Sequence, residues 1–257
     1  MRQGFSLVEL SIVLVILGLL TGGILTGQSL IRAAELRSIV TQQQSWMTAT
    51  RTFQDKYLAL PGDMRDATRF WNRQVTSAWC VTNSSATVVA SSPGTCDGNG
   101  NGMLDTGTAN QTAEVLQFWK QLQLAGLIEG TYTGLSGANN GADHDFGINA
   151  PGSRVSNAGW GARYLDNSAA INTGVFARNY EQWFTIGNDG TVWADNPFIK
   201  PEEAWNIDQK LDDGKPGRGS VQTTRTGNCT TATSNTNYDA LYNLTYTSDA
   251  CGLAFKR

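Results

Sequence analysis

With 257 residues, a net charge of -3 and a pI of about 5.2, the chain has room for one sizeable domain plus an anchor, and it offers no electrostatic case for a nucleic-acid partner. Its 28 glycines, with many Asn, Ser and Thr, fit a loop-rich exported domain better than a compact cytosolic enzyme, while eight Trp and seven Tyr suffice for a core. The sole histidine, His144, lies between Asp143 and Asp145 in a glycine-rich stretch. That setting reads as exposed and solvated, which leaves a Ser-His-Asp or Cys-His centre without its base, and no Lys follows Gly98 to Gly102 as a phosphate-binding loop requires.

The first element is an apolar run from Phe5 to about Gly27, preceded by Met1, Arg2, Gln3 and Gly4. After Glu9 no charged residue appears until Arg32, so the run can cross a bilayer as one helix. Glu9 is the exception, because a carboxylate at membrane depth is costly and reads by default as functional. One positive charge, an over-long apolar region and no small-x-small site make the segment a poor secretory signal. Gly18, Gly22, Gly23 and Gly27 permit close helix approach. They also ease local melting, since each Gly costs about 1 kcal/mol relative to Ala in a helix. From Ser29 the pattern is two-faced. Leu36, Ile39, Val40, Trp46, Met47, Phe53 and Tyr57 form a core-facing stripe, and Gln42, Gln43, Gln44, Arg51 and Asp55 are assigned to the opposite side. The spacing predicts one helix from Phe5 to about Tyr57, roughly 80 Å long at 1.5 Å per residue, stopped by Leu60-Pro61-Gly62.

Gly4-Phe5 followed by Glu9 at the head of this run resembles the class III leader of type IV pilins and of the pseudopilins of type II secretion. The resemblance implies cleavage after Gly4 by a prepilin peptidase and N-methylation of Phe5. It implies pairing of Glu9 with the Phe5 amine of a neighbouring subunit, a pairing that physical chemistry favours because each charge is expensive alone in a low dielectric. The implied fold class is α+β: a long N-terminal membrane and filament helix whose C-terminal half packs on a loop-rich pilin-like head with a small antiparallel sheet. The implied organisation is a leader at 1–4, a spine helix at 5–58 that is transmembrane over about 5–27, and a periplasmic or extracellular head at 59–257. The partners would be other pilin or pseudopilin subunits, the peptidase and an inner-membrane assembly platform. The head would face the periplasm while the subunit waits in the inner membrane, and the final location would be a periplasmic or extracellular filament. The size of the head and its Gly/Asn loops suggest a minor or tip subunit, with a filament-displayed adhesin as the alternative. The segments Tyr57–Met64 and Asp208–Pro216 also resemble larger pilin-like proteins.

Past the spine, Asp63 is placed to cap a short helix through Ala67, Phe70 and Trp71. Four cysteines, Cys80, Cys96, Cys229 and Cys251, suggest two disulfides in an exported domain, and the local pairings Cys80–Cys96 and Cys229–Cys251 are favoured among the three arrangements. A C-terminal disulfide loop also fits the pilin pattern. Asp97, Asn99, Asn101, Met103 and Asp105 match the front of an EF-hand-like loop with Gly102 at its sixth position. Thr108 replaces the bidentate Glu, and an Asn-Gly turn without metal fits the same letters, so calcium is one of two readings. Otherwise no cofactor is expected.

A helix is predicted over Ala113–Leu124, ended by Gly126, and a strand from Leu127-Ile128 to Tyr132. Residues 134–161 read as a long surface loop. Gln182–Gly187 and Thr191–Ala194 flank Asn188-Asp189-Gly190 as a hairpin, and Arg163–Leu165 and Val175–Ala177 are weaker strand candidates. Pro201 opens a last helix ending at Asp212-Asp213-Gly214, where Asp208, Asp212 and Asp213 are read as turn-capping groups in preference to a cation site.

Overall fold

The computed structural model describes residues 6–74, 94–106, 113–136, 143–165, 176, 181–189, 193–224 and 227–257. Among the described residues, four helices, α1 (Leu7–Tyr57), α2 (Ala67–Trp71), α3 (Glu114–Leu124) and α4 (Pro201–Leu211), accompany five strands. The strands are β1 (Ala158–Leu165), β2 (Glu181–Asp189), β3 (Ala194–Asn196), β4 (Val221–Thr223) and β5 (Leu253–Lys256). They form one antiparallel sheet in the order β1-β2-β5-β4, with β3 also paired to β2. The expected α+β architecture is therefore present.

The 51 residues of α1 divide by environment. From Leu7 to Ile31 the large apolar side chains are exposed, with Leu7 at 86% and Leu19 at 74%. This half is long and apolar enough to cross a membrane. Beyond it Ile39, Ala49 and Phe53 are buried, with Leu36, Val40, Trp46, Met47 and Tyr57 packed against the same core. The predicted stripe is the packed one, but the glutamines correct the reading of the opposite side. Gln43 is buried, and Gln42 accepts a hydrogen bond from Trp160 Nε1 at 3.2 Å. The helix ends at Tyr57, as predicted, with Leu58 as its cap in a left-handed conformation with φ 52°.

The centre of the head is α3, which lies between α1 and the sheet. Trp119 meets Trp46 of α1 edge-on at 5.4 Å, and Phe118 meets Phe184 of β2 at 5.9 Å. The expected one-sided helix is buried all round, from Glu114 to Leu122. Its polar residues serve the loops around it. Gln121 Oε1 accepts from Gly62 N, and Gln117 Oε1 accepts from Thr95 Oγ1 and Cys96 N. Gly62 has φ +86°, and a Cβ there would lie 2.3 Å from the Glu114 carbonyl, so the chain can pass α3 only as glycine.

Side-chain alternation divides the sheet between two clusters. Trp160, Phe184, Ile186, Leu253, Phe255 and Val221 join the main core shared with α1 and α3. Trp183 and Ala254 point the other way, onto Phe176 and Ala240. Strands β2 and β3 pair as a hairpin, but later in the chain than predicted: Asn188 and Asp189, expected in the turn, are the last residues of β2, and β3 begins at Ala194, while residues 190–192 lie outside the described residues. Leu127–Tyr132 forms no strand, and Phe176, the only described residue of Val175–Ala177, is not in one. Strands β4 and β5 were not expected.

At the membrane-proximal side, Arg32 of α1 grips Glu203 of α4 with Nε–Oε1 at 2.6 Å and Nη2–Oε2 at 2.7 Å, while Nη1 reaches Glu35 at 3.0 Å. Glu203 also accepts from Lys200 N at 3.1 Å, so one carboxylate both caps α4 and fixes it to the spine. The hydrogen bonds that Arg32 donates to Glu203 raise its guanidinium above its ordinary range. Burial alone would push Glu203 up, but the bonds from Arg32 and Lys200 outweigh it and hold the carboxyl low.

Candidate functional site

The start of α1 is a capping box. Ser6 Oγ accepts from Val8 N at 3.3 Å, and Glu9 Oε2 accepts from Ser6 N at 2.9 Å. Glu9 therefore lies against the helix N-terminus, where the backbone dipole favours a negative charge. Gly4 and Phe5 lie outside the described residues. A carboxylate has about four acceptor sites, and the Ser6 N–H occupies one, so Glu9 retains acceptor capacity for an added cation.

The loop from Asp97 to Asp105 forms a shell around carboxylates. Asp63 Oδ1 accepts from Gly100 N at 2.5 Å and Asn101 N at 3.1 Å, and Oδ2 accepts from Gly102 N at 2.8 Å. Glu114 accepts from Asn99 N at 2.7 Å and Asp105 N at 3.0 Å. Asp63 thus does not cap α2, as the sequence reading had it. Asp97 does so from across the loop, taking Thr68 N at 2.8 Å and Thr68 Oγ1 at 2.9 Å. Asn99 and Asn101 direct their amides to Asp105 Oδ2 at 2.7 and 3.0 Å, while their own oxygens accept from Asn101 N and Met103 N. Of the five proposed calcium ligands, Asn99, Asn101 and Asp105 converge and Asp97 turns away to Thr68. The side-chain oxygens of Asp97, Asn99 and Asn101 each face an N–H or O–H donor.

Asp208, Asp212 and Asp213 bring one oxygen each within 4.8 Å of the others. Each also holds a turn or a neighbour. Asp208 accepts from Tyr242 Oη at 2.9 Å and Gly214 N at 3.2 Å, Asp212 from Ser220 N and Val221 N, and Asp213 from Lys215 N at 2.8 Å. This is the capping role expected of them. Tyr242 belongs to the loop closed by the Cys229–Cys251 disulfide, on which Leu241 and Leu244 stand half exposed. Cys96 is also disulfide-bonded, and Cys80 lies outside the described residues.

Burial pushes the Glu114 and Asp208 carboxyls up to about 7, against the hydrogen bonds that favour their ions. An acid raised in the fold binds extra protons there. Its contribution to stability is complete below its unfolded pKa, 4.5 for Glu114 and 3.8 for Asp208, and is lost as pH rises through about 7. Glu203, held low, works in the opposite sense and loses its contribution as pH falls below 4.5. The thermal midpoint of the detergent-solubilised protein is therefore expected to be several degrees higher at about pH 5 than at about pH 8. Glu114→Gln should remove part of that slope. Millimolar Ca²⁺ that flattens the slope would mark a cation on the loop. An unchanged slope, with no heat in calorimetry, would remove calcium from the account.

His144 corrects the sequence reading. It is 1% exposed, as is Asp143, and its ring lies 6.3 Å from that of Trp193. Residues 143–150 fold inward because Asn149 is buried, donating to the Asp143 and Leu135 carbonyls while accepting from Asp145 N. Beside them Arg163 pairs with Asp195 at 3.1 Å and lies over the Trp193 ring. These contacts pack the loop.

No curated protein and no solved structure matches the chain. A family model described as the prokaryotic N-terminal methylation motif matches residues 1–25. The motif implies processing by prepilin peptidase and assembly with other pilin subunits, and the apolar helix suits a membrane-anchored pilin. The methylation motif at residues 1–25 and the 51-residue helix that begins within it give the chain an N-terminus similar to that of type IV pilin-like proteins.

Proposed function

We propose that the chain is a minor structural subunit of a type IV pilus or of a type II secretion pseudopilus. The observation that carries this reading is the division of α1. One continuous helix has an apolar half with its side chains in the open and a second half embedded in the head. A helix needed only as a tether has no use for rigid continuity into the core, whereas a filament needs each subunit to contribute a rod held at a fixed angle to its head. Cleavage after Gly4, methylation of Phe5, a stay in the inner membrane with the head in the periplasm, and transfer into a filament by the assembly platform complete the proposed sequence of events. The role is assembly, not catalysis, and no nucleic acid is involved.

The minor position rests on the size and elaboration of the head, whose loops and disulfide-closed tail exceed what a repeating shell requires. An adhesin displayed on the filament is the second reading, favoured by the open cleft described below. Deletion of the gene separates the two. Loss of filaments, restored by the full chain, fits a structural subunit. Intact filaments that no longer attach would fit the adhesin instead.

A further inference from the structure

At the end of α1 opposite the apolar half lies an open cleft of about 1240 Å³, lined among others by Tyr57, Leu58, Arg65, Arg69, Phe70 and Arg257. Three features of this cleft exceed what the fold requires. First, Leu58 is a bulky residue in the left-handed conformation, with φ 52°, at a helix end where Gly or Asn is the usual choice. Its side chain is 92% exposed, so neither its backbone nor its burial explains a leucine there. Second, Phe70 stands 58% exposed beside it, in a cluster with Tyr57 and Trp71 at ring distances of 5.4 and 5.8 Å. Third, the three arginines Arg65, Arg69 and Arg257 outnumber the two lining aspartates, Asp63 and Asp66. Arg65 is anchored by its Nε to the Asn99 carbonyl at 2.7 Å, and Arg69 meets Asp66 only at 4.0 Å. The Nη1 of Arg257 is buried without a hydrogen-bond partner among the described residues. The Asp63 carboxylate in the same wall is already taken up by three backbone N–H groups.

We propose that this cleft binds an acidic, apolar peptide segment of another protein, with carboxylates against Arg65, Arg69 and Arg257 and aliphatic side chains on Leu58 and Phe70. The charge complement calls for carboxylates, because guanidinium forks match them in a bidentate geometry. The exposed leucine and phenylalanine call for aliphatic side chains in the same ligand. The volume accommodates several residues, more than a small metabolite fills. Burial, and then the facing charge of Arg51, lower Arg257 to about 10, a cost that a bound carboxylate relieves. The inference goes beyond the filament reading and does not need it, because any protein anchored by α1 would present this cleft away from the membrane.

The test uses the full chain in lipid nanodiscs and a fluorescein-labelled hexapeptide alternating leucine with glutamate, read by anisotropy against empty nanodiscs. The glutamate peptide should bind at least about tenfold more tightly than its glutamine counterpart, and added salt should weaken it. Arg257→Gln should weaken binding about tenfold while leaving the thermal midpoint unchanged or higher. Leu58→Gly should lower affinity several-fold while relieving the strained helix end. Equal binding of the two peptides, or unchanged affinity in both variants, would overturn the proposal. Binding of alginate, a polymer of uronates, in the absence of peptide binding would also overturn it.

Discussion

Replacing Glu9 with alanine is expected to leave membrane insertion intact and to cut incorporation into filaments about a hundredfold, equivalent to about 3 kcal/mol for stranding one member of a desolvated ion pair. In the single chain Glu9 reaches back to Ser6 N, so the carboxylate is already held at the end of the helix where a neighbour's amine would arrive. Two roles are combined in one side chain, and Glu9→Gln separates them. Glutamine is accepted at this position of a capping box and keeps the bond to Ser6 N, but it carries no charge. If charge pairing drives assembly, both variants fail alike in a count of subunits per purified filament. Normal incorporation of Glu9→Gln would assign the residue to capping alone, and normal incorporation of Glu9→Ala would remove it from assembly altogether.

Trp119→Ala is expected to lower the stability of the protein by about 3–5 kcal/mol. Trp119 is 0% exposed and touches both sides of the head. It packs edge-on against Trp46 at 5.4 Å and Phe118 at 4.9 Å, and lies 6.2 Å from Phe184 on β2. Truncation opens a cavity where α1, α3 and the sheet meet, so the spine loosens from the head as well as losing buried area. Denaturant unfolding of the detergent-solubilised variant, followed by tryptophan fluorescence, measures the loss. A change below about 1 kcal/mol would mean that α3 is not the bridge described here.

The elements legible in the sequence are those whose signal is local. Leu36, Ile39 and Phe53 repeat at helical spacing, Pro201 with Glu202 and Glu203 opens α4, and Asn188-Asp189-Gly190 marks the hairpin. Strand β5 gave no such signal. Leu253–Lys256 is four residues long, and it sits between β2 and β4 only because Phe184↔Phe255 and Val221↔Phe255 pair across long stretches of chain. The buried polar residues were hidden for a related reason. Asp63, Glu114, Gln117 and Gln121 look like surface residues by type, and what makes them core residues is the set of loop N–H and carbonyl groups brought to them from elsewhere. His144 misled in the same way, since a glycine-rich acidic neighbourhood says nothing of Asn149 drawing the loop inward. The candidate site divides similarly. Glu9 and its spacing from Gly4 stand in the primary structure, whereas the cleft at Leu58 exists only where α1 ends beside α2 and Arg257.

The most direct measurement is the mass and N-terminal sequence of the mature protein purified from cells that possess prepilin peptidase. The account predicts a chain that begins at Phe5 and carries one added methyl group on its amine. A mature chain that still carries Met1 to Gly4 would contradict it, because Glu9 would then have no free amine to pair with and the helix would be no more than a tether.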